Sequence, residues 1–316
     1  MSAFLLKRLA AFAATLAAAS IVIFLVLEVL PGNAAQVILG AEAPPETVAA
    51  LAHKLGVDRP PAQRYLAWIE GMAEGDFGTS YAYGTPVADL IEQSLAITIP
   101  LAVLAMALNI ALGLSLGIIA AARHNRFADI AIMGLSQLGI AIPSFWFAIL
   151  LILLFAVELG WLPAGGFPGW SAGLWAGFRA LILPSVSLAV VQAAILARVT
   201  RSAVLDMLRE DFVRTARAKG LSRGAALRRH VLRNAMIPIV TIMGLQFSNL
   251  LVLTIVVENV FYLPGLGRLI LNSIANRDVV VVRDVVMLLA AMVVAVNFAV
   301  DLLYAAIDPR LKLGKP

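Results

Sequence analysis

Long apolar runs separated by short polar stretches dominate this chain. Six of them, Leu9 to Leu30, Leu95 to Ala122, Ile130 to Leu159, Leu181 to Ala197, Met236 to Val257 and Val285 to Ile307, approach or exceed the length that crosses a bilayer. A helix needs about 20 mostly apolar residues for that crossing, so each run predicts a membrane span, the fourth being the shortest. The runs are continuous, whereas the strands of a membrane barrel alternate apolar and polar residues over about ten positions. The chain therefore reads as an all-α membrane protein with six transmembrane helices. Residues 1–30 form a first span that is retained, because its apolar run is long and lacks a small-residue cleavage pattern at a polar boundary. Residues 31–94 form an external segment, and residues 95–316 a five-helix core that contains a polar loop at 201–234.

The external segment has helical periodicity of its own. After the terminating pair Pro31-Gly32, Pro45 suits the first turn of a helix, Val48, Leu51, Ala52 and Leu55 recur on one face, and Gly56 suits its end. A second short helix is predicted from Ala62 to Met72. Gly75 to Ser80 and Gly84 to Pro86 then read as turns. Two roles stay open for this segment: a surface for an external partner, or a cap packed on the helix ends.

Composition agrees with the pattern. Hydrophobic residues make up 61% of the 316 and charged residues 14%, against about half and about a quarter in soluble domains. Seventeen of the 24 Lys and Arg fall on one side: Lys7 and Arg8, Arg123 and Arg126, ten between Arg198 and Arg233, and Arg310, Lys312 and Lys315. This bias places both termini and the 201–234 loop in the cytoplasm. Cysteine is absent, which removes disulfides, thiolate nucleophiles and Cys-ligated metal centres. His53, His124 and His230 all fall outside the spans, so an intramembrane hydrolase has no base. Gly265-Leu-Gly267 lacks the third glycine of a dinucleotide fingerprint, Ile270 standing there, and no phosphate-binding loop occurs.

Polar residues within the spans are few. Glu28 and Asp301 are the acidic ones, each near an interface, with no basic residue mid-span to pair with them. An ion-coupled secondary transporter usually carries such charges and inverted repeats, and neither is evident. Among the amides Asn109, Gln137, Gln192, Gln246, Asn249 and Asn297, the pair Gln246 and Asn249 lies three apart on one face of the fifth span. These two, with Gln192 and Pro143, are the candidates for a translocation path, and interhelical hydrogen bonding is the competing role for each amide. Pro143 and Pro184 each remove a backbone hydrogen bond and can kink a span.

The 201–234 loop is polar and basic between two apolar runs. Asp206 to Lys219 predicts a helix with acidic residues early and basic residues late, as its dipole prefers. Gly220 suits a left-handed cap, and Ser222 suits the cap of a second short helix reaching about Arg233. Ala225 and Ala226 fall on one side of it, and Arg228 and Arg229 elsewhere.

Arg214-Thr-Ala-Arg-Ala-Lys-Gly220 resembles the E-A-A-x-x-x-G loop of permease subunits of binding-protein-dependent ATP-binding-cassette importers. Ala216 and Gly220 match, Arg214 and Thr215 stand where that loop has Glu and Ala, and Leu232 alone fits its Ile-x-Leu-Pro ending. The peptide-type branch of that family is indicated by Gly-Asp-Phe-Gly-Thr-Ser (75–80), Ile-Pro-Ser-Phe-Trp (142–146), Leu-Gly-Trp-Leu-Pro (159–163), Leu-Arg-Asn-Ala-Met-Ile-Pro (232–238), Val-Phe-Tyr-Leu-Pro-Gly-Leu-Gly (260–267) and Asp-Pro-Arg-Leu (308–311). The resemblance covers nearly the whole chain. It implies the fold of a type I importer permease in a bacterial inner membrane. It also implies a second related permease, two ATPase subunits that use ATP and Mg, and an external solute-binding protein, with no cofactor on this chain, no enzymatic activity of its own and no nucleic acid. Small peptides are the expected solutes, with nickel chelates, glutathione or other solutes as alternatives. Arg214, Thr215, Ala216, Gly220, Leu221, Ser222, Ala225, Ala226, Arg228 and Arg229 then become the ATPase-coupling residues. The second helix would dock in a groove on the ATPase through its small residues, with Arg228 or Arg229 at the rim; a solvated loop that only sets topology is the plainer alternative.

Overall fold

The computed structural model describes residues 2–29, 35, 39–40, 42–56 and 58–307. Its helices in chain order are α1 (Ser2–Val29), α2 (Pro45–Leu55), α3 (Pro61–Glu74), α4 (Val87–Ala122), α5 (Phe127–Ala141), α6 (Ser144–Leu151), α7 (Leu174–Leu208), α8 (Asp211–Ala218), α9 (Arg223–Ala226), α10 (Leu232–Val260), α11 (Leu266–Ala275) and α12 (Val279–Ile307). Among the described residues the β pairing is a single bridge, Thr79 to Pro86. Pro31-Gly32, the Glu28 side chain, residues 308–311 and the tail cations lie outside the described residues.

Among the described residues, five helical stretches are long and apolar enough to cross a membrane: Leu6–Leu27, Val87–Ala122, Leu174–Leu208, Arg223–Val260 and Val279–Leu302. The remaining run is a broken pair, Phe127–Ala141 and Ser144–Glu158, bent by 101°. The Ile130 to Leu159 run, expected as one span that Pro143 can kink, is bent at that proline far more sharply than a kink. A residue before proline is pushed out of the helical region, and Ile142 is extended at φ −87, ψ 123, followed by Pro143 at ψ 134. Two successive extended residues redirect the chain. Pro184, by contrast, lies inside an unbroken α7, and the Ser187 hydroxyl donates to its carbonyl at 2.7 Å.

The fourth span is far longer than the Leu181 to Ala197 run. With 35 residues, α7 extends about 52 Å at 1.5 Å per residue, well beyond about 30 Å of hydrocarbon. Its polar ends, like the Asp89-bearing first turn of α4, extend the helix past the apolar window that sequence detects.

The chain forms two compact units, one of residues 1–98 and 264–295, the other of residues 99–263 and 296–316. In the first, α2 ends at Gly56 with φ +67, as its pattern predicts, and α3 packs by aromatic contact. The Phe24 ring lies 5.4 Å from Tyr65 and 6.3 Å from Trp68, centroid to centroid. Trp68 Nε1 donates to Asp284 Oδ1 at 2.6 Å, and the Arg283 guanidinium stacks over the Trp68 ring at 4.8 Å. Asp278 accepts from Ser80 Oγ at 2.5 Å and from the Ala82 amide at 3.0 Å. Residues 61–82 are thus a cap fastened to α1 and to the start of α12.

The second unit is organised around α7, whose Leu181, Leu188 and Leu196 are fully buried. Gly113 and Gly117 on α4 permit a close crossing. A Cβ on Gly113 would lie 2.7 Å from Leu196 Cβ, and one on Gly117 would lie 2.5 Å from Thr200 Cβ. Small residues four apart are the usual means by which membrane helices approach this closely.

Candidate coupling surface

The basic segment starts from the end of α7. Glu210 is extended, and α8 follows with Asp211 in its first turn and Arg217 in its last, both favourable to the helix dipole. The helix is shorter than the Asp206 to Lys219 stretch expected, because α7 itself continues through Asp206 to Leu208. Gly220 has φ +92. The Leu221 amide reaches back to the Ala216 carbonyl at 3.2 Å, and the Gly220 amide to that of Arg217 at 2.9 Å, the paired bonds of a Schellman cap. A Cβ on Gly220 would meet nothing within 4 Å, so glycine is required there for backbone conformation and not for space.

Ser222 caps the next helix, its hydroxyl accepting from the Ala225 amide at 3.3 Å. That helix is not a separate short one. It passes through α9 and a wider π turn at Leu227–Val231 into α10, so that Arg223–Val260 forms one continuous span. Ser222 therefore caps the fifth span itself.

Burial divides the segment into two faces. Arg214, Thr215, Gly220, Ser222, Arg228 and Arg229 are exposed, and Ala216, Leu221 and Ala225 are half-buried. Ala226, expected at the docking face, is 1% exposed. It packs with Val213, Val204, Val231 and Ala121 in the chain's own core. Its small size serves contact with this chain. Two residues that sequence reasoning passed over matter here: Val213 anchors α8, and Phe212 beside it is an exposed aromatic. The signal for both was present, since an apolar pair in a polar helix turns one member inward and leaves the other outside. Arg223 and Gly224 line a recess of about 210 Å³ with Ala122, Leu208 and Leu227.

Arg201, the first residue of the polar stretch, belongs to a clamp with α5. Its Nε donates to Asp129 Oδ1 at 2.5 Å and its Nη2 to Oδ2 at 2.8 Å, while the Asn125 amide donates to Oδ2 at 2.9 Å. Fork-to-fork pairing of this kind fixes orientation as well as charge.

The path candidates separate in space and environment. Gln246 is buried, accepting from Asn109 Nδ2 at 2.9 Å and donating to the Gln192 carbonyl at 2.8 Å. It ties α4, α7 and α10 together. Asn249 on α10 is exposed, so three-residue spacing does not give it the surroundings of Gln246. Pro143 is exposed at the break between α5 and α6. Asn297 accepts from Ser248 Oγ at 3.1 Å.

Comparison with known proteins matches this architecture. Residues 113–313 match the family described as binding-protein-dependent transport system inner membrane component, and residues 1–102 match the N-terminal component of the same kind of system. The glutathione transport system permease protein GsiC of Escherichia coli K12 is 41% identical over 309 residues, 98% of each chain. A Sinorhizobium fredii protein named as a probable peptide ABC transporter permease is 39% identical over 312 residues, 99% of this chain and 100% of its own. Among solved structures, a chain of the MetNI methionine ABC transporter in an inward-facing conformation is similar with a TM-score of 0.58 at 18% identity, over 69% of this chain and 96% of that one. That last likeness is one of fold.

Proposed function

The chain belongs to the family of binding-protein-dependent transport system inner membrane components, and we propose that it is the permease through which an ATP-driven importer passes small peptides or peptide-like solutes such as glutathione. Near-full-length identity of about 40% to permeases named for peptides and for glutathione carries this reading. The partners in this proposal are a second related permease, two ATPase subunits that bind and hydrolyse ATP with Mg, and a solute-binding protein on the outer face. The charge bias of the loops puts both termini and the 211–229 segment on the ATPase side.

The chain's own part is mechanical. α8 and the turn at Gly220 present Phe212, Arg214, Thr215, Ser222, Arg228 and Arg229 to the ATPase. Motion imposed there enters the membrane by two routes. One is Val213 and Ala226, packed into a core shared with Val204 of α7 and Val231 at the base of α10. The other is the unbroken helix Arg223–Val260.

Uptake of radiolabelled trialanine and of glutathione by proteoliposomes holding the assembled importer tests this. The expected result is accumulation that requires both ATP and the binding protein. Accumulation driven by an ion gradient without ATP would overturn it.

A further inference from the structure

Helix α5 is held in its unit without a buried apolar residue. Its two buried residues are Asp129 and Ser136, and Phe127, Ile130, Leu135 and Leu138 are exposed. Asp129 takes donors from two other parts of the chain: the fork of Arg201 on α7, and the Asn125 amide in the turn between α4 and α5. His124 Nδ1, in the same turn, lies 3.1 Å from both Asp129 Oδ2 and Arg201 Nη2. With its side chain 3% exposed, the carboxylate joins the turn, α5 and α7 at one point.

Beyond the fork the two helices run antiparallel. Arg198 Nη1 donates to Gln137 Oε1 at 3.3 Å, and a Cβ on Gly139 would lie 3.2 Å from Ala194 Cβ. These are a long bond to a neutral amide and an approach of small residues, whereas the fork is charge-assisted and fixes orientation. On its other side Arg201 stands one helical turn from Val204, which shares a buried cluster with Ala226 and with Val213 of α8. A continuous set of contacts thus leads from α8 through α7 to α5, the kind of network that carries coupling between distant parts of a protein. Helix α5 ends at Ala141, before the extended Ile142 and Pro143 at which the chain bends by 101°.

We infer that Arg201 and Asp129 are positioning residues for transport: their fork makes α5 follow the end of α7 that adjoins α8, so that displacement of α8 reaches the broken span. This rests on the importer reading, and it extends the route through Val213 and Ala226 to a helix that a directed ion pair holds in place of apolar burial.

The chain has no cysteine, which permits spin labels at Leu138→Cys on α5 and Arg209→Cys at the end of α7, both exposed positions. Counted from the fork they lie nine and eight residues away in opposite directions, a separation of roughly 25 Å along the helix axes that pulsed dipolar spectroscopy reads. In the assembled importer with cysteine-free partners, that distance is expected to be the same before and after ATP is trapped with vanadate. With Arg201→Gln added, it should shift by about 2 Å or more on trapping. In unlabelled protein, Arg201→Gln should take up about tenfold less trialanine per ATP hydrolysed, with hydrolysis retained. Arg201→Lys, which keeps the charge without the fork, should fall between. Three results would each overturn the inference: a distance that changes on trapping with Arg201 in place; a distance that stays the same in Arg201→Gln; or uptake per ATP equal to wild type in Arg201→Gln with only its melting temperature lowered, the outcome for a purely structural contact. Should Arg201→Gln fail to accumulate, Arg201→Lys and the distance with Arg201 in place still decide. Trialanine uptake by the unmutated importer separates the two proposals: ATP-driven uptake alongside any of those three results removes only this inference, and absent uptake counts against the importer reading.

Discussion

Around the start of α12 the protein turns charge inward, and around α8 it turns charge outward. Asp278 and Asp284 are 0% and 1% exposed; Asp278 accepts from Ser80, Ala82 and Val281, and Asp284 from Trp68 and Arg283. In α8 the inward side chain is Val213, while Arg214 and Arg217 face away with Lys219 just beyond. Removing a carboxylate from water costs several kcal/mol, and losing one of its partners adds to that cost, so the contacts of the cap are costly to give up. Apolar contact is weaker singly and indifferent to direction, so Val213 and Ala226 can shift slightly without losing their hold. The first arrangement suits a region that stays closed. The second suits one that a partner pushes.

This contrast can be broken by substitution. The largest effect is expected from Asp278→Ala, which strands the donors of Ser80 and Ala82 and should cost about 3 kcal/mol, read as a lower melting temperature in detergent. Wild-type melting of that variant would remove the inward half of the contrast. Next is Gly117→Val, whose side chain meets Thr200 and the Ala197 carbonyl; overpacking there should cost about 2 kcal/mol. Val213→Ala should cost about 1.5 kcal/mol, and in the assembled importer it should lower uptake with ATP hydrolysis retained. Gly220→Val should cost about 1 kcal/mol, since a β-branched residue resists positive φ, with the same split between hydrolysis and uptake. Uptake equal to wild type in both would show that the segment does not transmit motion.

The smallest effect belongs to an exposed pair outside both regions. The hydrogen bond from His53 holds the Asp58 carboxyl below its ordinary 3.8. A folded value below the unfolded one contributes stability that is present above that ordinary value and lost as pH falls through the lowered one. The two side chains are 85% and 43% exposed, so Asp58→Asn should melt with the wild type at pH 7.

Much of the architecture was legible along the chain. The apolar runs, the helix ending at Gly56, the cap at Ser222 and the turn at Gly220 each depend on residues within a few positions of one another. Less was legible where distant residues decide. Both Pro143 and Pro184 remove a backbone donor, yet one breaks its span and the other does not. Gln246 and Asn249 share a helix face in the sequence, yet one is buried against Asn109 and the other is exposed. Ala226 carried the signature of a docking residue and packs inside.

By itself, then, the sequence determined that the chain is a helical membrane protein of the importer-permease family, where the apolar centres of its spans fall, and that a glycine-broken basic segment interrupts them. Hydropathy, capping and φ preference are local properties, and a linear string carries them in full. Tertiary structure alone decided which face of that segment is free, that Trp68 meets Asp284 across 216 positions, and that Arg201 pairs with Asp129 of α5. Burial and pairing depend on which helices come together, and close helix approach, as at Gly113 and Gly117, is settled only when both helices are present.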